Sequence, residues 1–573
     1  MSNYFTFSYK EQGPVLAQAT STTESLVIIG PALDGPSNTP YRVSTQLEAE
    51  NVFGPLSYTG QFKNPSTLVV DGTYAYNELL RAYQEALRSG AKNVYLVRVG
   101  GVKATASSLG GTTGFDVLAA QAGIQYNGMT VTMGADYAPA TPTGSIVFTQ
   151  PSQYGSPTVT YTYDANTTLL ELMNRINADN QVNTMRLIRR AALDPFAAAT
   201  SLTGTVTLAG GTYGTEAKSD DNYNGKFKMY QELIKTETGT FDMLAESDFN
   251  LILLTGIYAD DQVVTGAAAT TTSVIGAFGN FMGALNGRTQ SHGFLGARPL
   301  SHIHESDKDL LSAHILANWE STSAGYADAA MKWIKLGYFR NAGILVTDPI
   351  SGVTTDYGAY MSLVAGPDIR MSSPGIGNYI TNPVAMYAGQ VSATPSQISM
   401  TRQTLSGTLN LRYAVNNKQL RRLVNGIGWN DVTKLPGKGP LVLFNTESAG
   451  SAPKVAYDVT FVNDTRAPFG DLQSERAAFD SLRAVKAALL PFIGLSFTTE
   501  NKMAMEQVVR GTMNTLSEAG KLAPGGENIS WQFSLEGTTA TSIARNEVVV
   551  QLIITTPFQI KRISVQTTVR RPS

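Results

Sequence analysis

Short apolar runs set the terms for this chain. Residues 26–30 read LVIIG, a short buried strand followed by the Pro- and Gly-rich loop PALDGPSNTP. A helix is expected within 74–89, with Leu79, Leu80, Tyr83, Ala86 and Leu87 on one face and Gly90 as its stop. NVYLVRV at 93–99 then reads as a second strand. Strand, helix, strand is the beginning of an α/β layer. The same texture returns between 222 and 365. There YQELIKTE and the Ala-rich stretch 310–335 read as helices, and NLILLTG and AGILVTDP as buried strands.

Between these regions the character changes. Residues 105–213 are rich in Gly, Thr, Ala and Ser, and MTVTM, SIVFTQ, TVTYTY and TVTL read as strands. One helix interrupts them, announced by the capping-box pattern of Thr168 and Glu171 before Leu172, Met173 and Ile176. The module reads as an insertion, because α/β texture resumes after it.

Residues 366–470 are loop-rich, with SSPGIGNYITNP and TKLPGKGP as turn clusters and PLVLFN as a strand. Two helices follow at about 472–490 and 500–519. Phe479, Leu482, Val485 and Leu489 line the first; Met505, Val508, Thr512 and Leu516 line the second, which Gly520 stops. The chain closes with EVVVQLIITT at 547–556, Pro557, and KRISVQTTVRR at 561–571. In the last run Ile563, Val565, Thr567 and Val569 share one face, the alternation of a half-buried strand. A terminal strand frays without a partner. It either folds back onto its own domain or joins another sheet.

The fold class is therefore mixed α/β (α+β) and multidomain. Residues 1–20 are expected as an extended arm, 21–104 as the N-terminal part of an α/β core, and 105–213 as the inserted β-rich module. Residues 214–365 are expected as a central α/β domain, 366–556 as a C-terminal domain, and 557–573 as a C-terminal arm strand.

Composition excludes several classes of function. The 573 residues include no Cys, so disulfides, thiolate zinc sites, iron–sulfur clusters and cysteine nucleophiles are out. A formal charge of −2 gives no electrostatic case for nucleic acid or an anionic membrane. No run of 18 or more apolar residues exists, and MSNYFTFSYK lacks the basic and apolar regions of a secretion signal. The expected site of synthesis and residence is the cytoplasm.

Catalytic constellations are weak. The four histidines are His292, His302, His304 and His314, the last three near Glu305 and Asp307. On a strand, His302 and His304 would share a face and could chelate a metal, but ordinary polar histidines explain them as well. GTYGTEAKS at 211–219 has Ala217 where a phosphate loop needs Gly before its Lys. GIGNYI and GIGWND lack the third glycine of a dinucleotide fingerprint, and no G-x-S-x-G elbow occurs. HESDKD lacks calcium-loop spacing. We expect no enzyme, no metal and no cofactor.

Many stretches, in order, resemble the tail sheath proteins of contractile bacteriophages and related injection devices. They are 23–55 (TESLVIIGPALDGPSNTPYRVSTQLEAENVFGP), NGMTVTMG, TLAGGTYG and 363–383 (LVAGPDIRMSSPGIGNYITNP). They continue with LNLRYAVNN, GPLVLFNTES, 459–479 (VTFVNDTRAPFGDLQSERAAF) and 490–501 (LPFIGLSFTTEN). Where that family usually carries paired arginines after its strand, this chain has Arg466 alone.

The resemblance implies a subunit of six-fold rings, stacked helically around a tail tube, with inserted domains facing outwards. It implies a C-terminal sheath domain completed by the N-terminal segment, and arms that add strands to neighbouring subunits. Ile563, Val565, Thr567 and Val569 would then be the donated strand, and Val548, Val550, Leu552 and Ile554 the resident one, buried on both faces. It implies contraction that drives the tube through an envelope, with tube, baseplate and tail terminator as partners. Neither nucleic acid nor direct membrane insertion is involved, and the site is a virion tail assembled in the host cytoplasm. On the helix at 472–490, Arg476, Arg483 and Lys486 either meet the tube or form a solvated face. A surface-layer or adhesin protein would share the Cys-free, polymeric character, but should carry a secretion signal.

Overall fold

The structure is a computed structural model. It describes residues 24–58, 75–99, 103–211, 224–296, 345–411, 441–462, 470–535 and 548–557, with short gaps inside those stretches. The N-terminal arm at 1–20, the helix at 310–335, His302, His304, His314, Arg466 and the arm strand at 561–571 lie outside the described residues.

One sheet forms the centre. Strands β1 (Leu26–Gly30), β2 (Val94–Arg98), β3 (Leu251–Leu254), β4 (His292–Gly296), β5 (Met361–Gly366) and β6 (Val442–Asn445) run parallel in the order β2-β1-β3-β4-β5-β6. Two short antiparallel strands, Tyr41–Val43 and Lys454–Val455, lie at its edges. Every residue of β1, β3, β4 and β5 is buried, as a parallel sheet covered on both faces requires.

This single sheet takes strands from three segments that the sequence reading separated at residues 214 and 365. Parallel strands are joined by long crossovers, and strands buried on both faces look alike locally. Texture alone could not tell one sheet from several. Within AGILVTDP, Leu345–Thr347 is a strand, and it pairs with Thr354–Asp356 in a separate two-stranded ladder.

Helices cover both faces. On the central sheet lie α1 (Glu78–Arg88), α2 (Val274–Asn286) and α3 (Val384–Ala393); α4 (Leu472–Leu489) and α5 (Thr499–Glu518) follow further along the chain. A side chain at Gly293 would meet Phe278 and Met282 of α2. One residue on, Phe294 packs edge-on against Tyr387 of α3, with ring centroids 5.7 Å apart. Successive strand residues face opposite ways, so α2 and α3 lie on opposite sides. Helices α1 and α3 cross at Gly389, where a Cβ would lie 2.5 Å from the Ala86 carbonyl oxygen.

The segment between β2 and β3 includes two further antiparallel sheets. One has the order Thr158–Asp164, Thr143–Thr149, Thr130–Asp136, Gly204–Thr207; the other has Met185–Arg189, Phe115–Ala122, Lys103–Leu109. They close on a core of their own, including Phe115, Val131, Phe148 and Leu172, distinct from the core of the central sheet. Thr168 Oγ1 accepts from the Glu171 N–H at 3.2 Å and starts the module's helix.

A third core joins α4, α5 and a hairpin of β7 (Trp531–Ser534) and β8 (Gln551–Ile554). Phe479, Leu482 and Val485 enter it from α4. From α5 the buried residues are Met505, Val509, Met513 and Leu516, so the expected places of Val508 and Thr512 are each corrected by one position. Steps of three and four both keep to one side of a 3.6-residue helix, and packing selects between them. Strand β8 is also corrected. It is not buried on both faces: Leu552 is buried, but Ile553 is 47% exposed. No helix among the described residues is long and apolar enough to cross a membrane.

Candidate interaction site at the roots of the chain ends

Helix α4 begins unusually for a helix with charged residues. From Leu472 to Phe479 every residue is buried, including Gln473, Ser474, Glu475 and Arg476. Buried polar groups must find partners, and these partners come from distant parts of the chain.

Arg476 is 2% exposed, so its expected place on a tube-facing surface is corrected. Its Nε and Nη2 donate to Oε2 of Glu24 at 2.9 and 2.6 Å. Nη2 also donates to the carbonyls of Val391 and Thr394 at 2.9 and 2.5 Å. Those carbonyls end α3, where orphan acceptors and the negative end of the helix dipole favour a cation. Burial alone would lower the Arg476 pKa, but the Glu24 carboxylate outweighs it and the net shift is upward.

Arg483 extends the cluster. It donates to Glu24 Oε1 at 3.3 Å, to Asp480 Oδ1 at 2.5 Å and to the Gln290 carbonyl at 2.8 Å. Asp480 also accepts from Lys521 at 2.8 Å and from Ser396. Burial would raise the Asp480 pKa; Arg483 and Lys521 reverse that and hold it well below the usual range. Of the three cations read from the sequence, only Lys486 is exposed, towards the far end of α4.

Glu475 meets His292 at the start of β4. Oε2 lies 2.5 Å from Nδ1, although neither atom has ideal hydrogen-bond geometry. Two lone pairs cannot approach so closely without a proton between them. Burial pushes the Glu475 carboxyl up, with Arg476 opposing, and pushes the His292 imidazole down. Both groups thus favour their neutral forms. A neutral pair forms a complete chain. With the Glu475 O–H towards Nδ1, the Nε2–H would donate to Ser362 Oγ, which lies at 3.0 Å, and Ser362 donates to the Val459 carbonyl at 2.9 Å.

The other end of the described chain reaches the same helix. Ser474 Oγ donates to the Pro557 carbonyl at 3.3 Å. Just before Pro557, the Thr555 N–H donates to the Ser530 carbonyl at 2.8 Å, and the Ala523 N–H to the Thr555 carbonyl at 2.9 Å. Strand β8 follows Val548 and Val550, which are half-buried and precede the ladder. Leu552 is buried in the third core and Ile554 packs against it half-buried. Among the described residues β8 pairs on one side only, with β7. Ile563, Val565, Thr567 and Val569 lie outside the described residues.

Sequence reasoning missed Glu24, Ser474, Glu475 and His292. The one local signal was the adjacent pair Glu475–Arg476 in the first turns of the helix. It also missed the exposed apolar turn that joins α4 to α5. There Leu490, Ile493, Leu495 and Phe497 are 37–56% exposed, and Met503 early in α5 is 58% exposed.

A doubly wound sheet binds small ligands where its strand order reverses, here beyond the ends of β1 and β3. In this protein that crevice is filled. Gly256, at φ +80°, lies under Pro31, and its Cβ would sit 2.4 Å from Pro31 Cδ. A Cβ on Gly30 would sit 2.4 Å from the Thr255 methyl group. Among the described residues no group of three or more His, Asp or Glu could hold a metal ion.

No protein-family model matches this chain, and the search of curated proteins finds no match. Solved structures do match. A sheath tail protein from Listeria innocua aligns over 91% of this chain and 90% of its own, at 12% identity and a TM-score of 0.50. A sheath tail protein from Desulfitobacterium hafniense aligns over 92% and 93%, at 13% identity and a TM-score of 0.46. The contracted helical sheath of the anti-feeding prophage aligns over 98% of both chains, at 10% identity and a TM-score of 0.44. The chain has the mixed α/β fold of a sheath tail protein.

Proposed function

We propose that this protein is the structural subunit of a contractile tail sheath. The observation that carries this is the fold shared with the Listeria innocua sheath tail protein over 91% of the chain. The subunits would stack as six-fold rings around a tail tube and join a baseplate and a tail terminator. The device would be a virion tail or a related injection apparatus, assembled in the host cytoplasm. Function is mechanical: a rigid-body switch of interfaces drives the tube forward, with no catalytic step. The filled crevice beyond β1 and β3 fits that role.

Among the described residues β8 pairs only with β7, and we propose strand exchange at its other edge. A neighbour's Ile563–Arg570 segment would add beside β8, whose Leu552 and Ile554 face the third core. Donor and acceptor surfaces differ, so the contact is head-to-tail and propagates a helix. Of the three cations expected at the tube, Lys486 is exposed, and so is the apolar turn at 490–497 that follows α4. We place the tube contact there rather than at Arg476. The module at 105–213 would face outwards.

Negative-stain microscopy of the purified protein tests this function. Striated tubes are expected. A two-dimensional lattice would favour a surface-layer protein instead, and monodisperse particles at every concentration would overturn the sheath assignment.

A further inference from the structure

The two ends of the described chain meet one helix. Glu24, two residues before β1, is held by Arg476; the Pro557 carbonyl, three residues after β8, is held by Ser474. Positions i and i+2 of an α-helix lie about 3 Å apart along the axis and about 200° around it. The two bonds therefore leave α4 on opposite sides, and the helix runs between the two roots. Both side chains are buried, Ser474 at 6% and Arg476 at 2% exposure.

We infer that the first turns of α4 are a mechanical coupler between the two chain ends, with Arg476 and Ser474 as its positioning residues. The sheath function enters only as the source of the load, which the arms would bring from neighbouring subunits. On the N-terminal side the load passes through Glu24 to Arg476. Ser25 backs that root by donating from its N–H and its Oγ to Asn250 Oδ1, at 2.9 and 2.8 Å. On the C-terminal side it passes from Pro557 to Ser474. Displacing α4 at one root must displace it at the other, because one helical turn cannot stretch between them without breaking its own hydrogen bonds.

The two roots are held unequally. Glu24 receives charge-assisted hydrogen bonds from two arginines, whereas Pro557 receives one long bond from a hydroxyl. The N-terminal root is the fixed end of the coupler, and the C-terminal root is the end that yields.

Coupling between sites is reciprocal, and that supplies the test. Amide hydrogen exchange is measured on the unpolymerised full-length chain, comparing wild type with Glu24→Gln and with Ser474→Ala. Glu24→Gln is expected to speed exchange of the Thr555 amide about tenfold, and Ser474→Ala to speed the Ser25 amide severalfold, as local opening energies fall. The amides of Leu253 and Phe294, in the central sheet, should not change. If each substitution affects only its own root, the ends are independent and the coupler is refuted. If Glu24→Gln also speeds Leu253 and Phe294, the pair is a general fold element and the coupler is likewise refuted. The measurement needs no polymer. A wild type that never forms tubes overturns the sheath function and leaves this result intact.

Discussion

Replacing Glu475 by Gln should make the protein relatively more stable as pH rises. Glu475 and His292 are both 0% exposed, and their nearest atoms are 2.5 Å apart. Burial, with Glu24 and Asp458, raises the Glu475 pKa against the opposing Arg476 and Arg483, and holds it well above the usual value. In the unfolded chain the carboxyl ionises above about pH 4.3. Above that pH folding takes up a proton, so wild-type stability falls as pH rises towards the folded pKa. Gln takes up none. Its amide keeps the shape and can donate to Nδ1 of His292. The free-energy difference should therefore move in favour of Gln by up to about 1.4 kcal/mol per pH unit between pH 5 and 7. His292 titrates with the opposite sign, since its folded pKa is lowered, but it is present in both proteins and cancels from the difference. Urea unfolding of both proteins at pH 5, 6 and 7 measures the gap. A constant gap would mean that the folded carboxyl has an ordinary pKa. A gap moving in favour of Glu would mean that folding of the wild type releases protons relative to the Gln protein. Either result refutes the neutral pair.

Other perturbations probe different parts of the molecule. Removing residues 560–573 should leave a folded protein with an unchanged melt that forms no tubes in negative stain; normal tubes would rule out strand exchange. Exchanging residues 105–213 for a short Gly/Ser linker should leave the central core intact, because the module has its own, and should give thinner tubes; a folded variant that cannot assemble would place the module among the inner contacts. Gly389→Val should cost about 1–3 kcal/mol or more in chemical denaturation, because its Cβ would press on the Ala86 backbone where α1 and α3 cross. Met513→Ala, in the third core, should cost about 2–5 kcal/mol and loosen α5 against β7 before the central sheet responds, as hydrogen exchange would report.

Local chemistry determined much of this protein in advance. Apolar runs bounded by turn residues read as strands, and LVIIG, NLILLTG and PLVLFN become β1, β3 and β6. The capping pattern at Thr168 and the apolar faces of α1 and α4 also follow from neighbours within one or two turns. Those signals are short-range because strand alternation and helical period are properties of the local backbone. Only the tertiary structure decided that β1 lies between β2 and β3, or that Leu345–Thr347 stays out of the central sheet. It alone selected Val509 over Val508 for the core, since both positions suit a helical face. The candidate site was least legible of all. Arg476 and Glu24 are 452 positions apart, and Glu475 and His292 also meet only through the fold. In the sequence an arginine on a helix has the same pattern whether water or a buried carboxylate receives it. Burial makes the difference, and burial is set by what the rest of the chain packs against it.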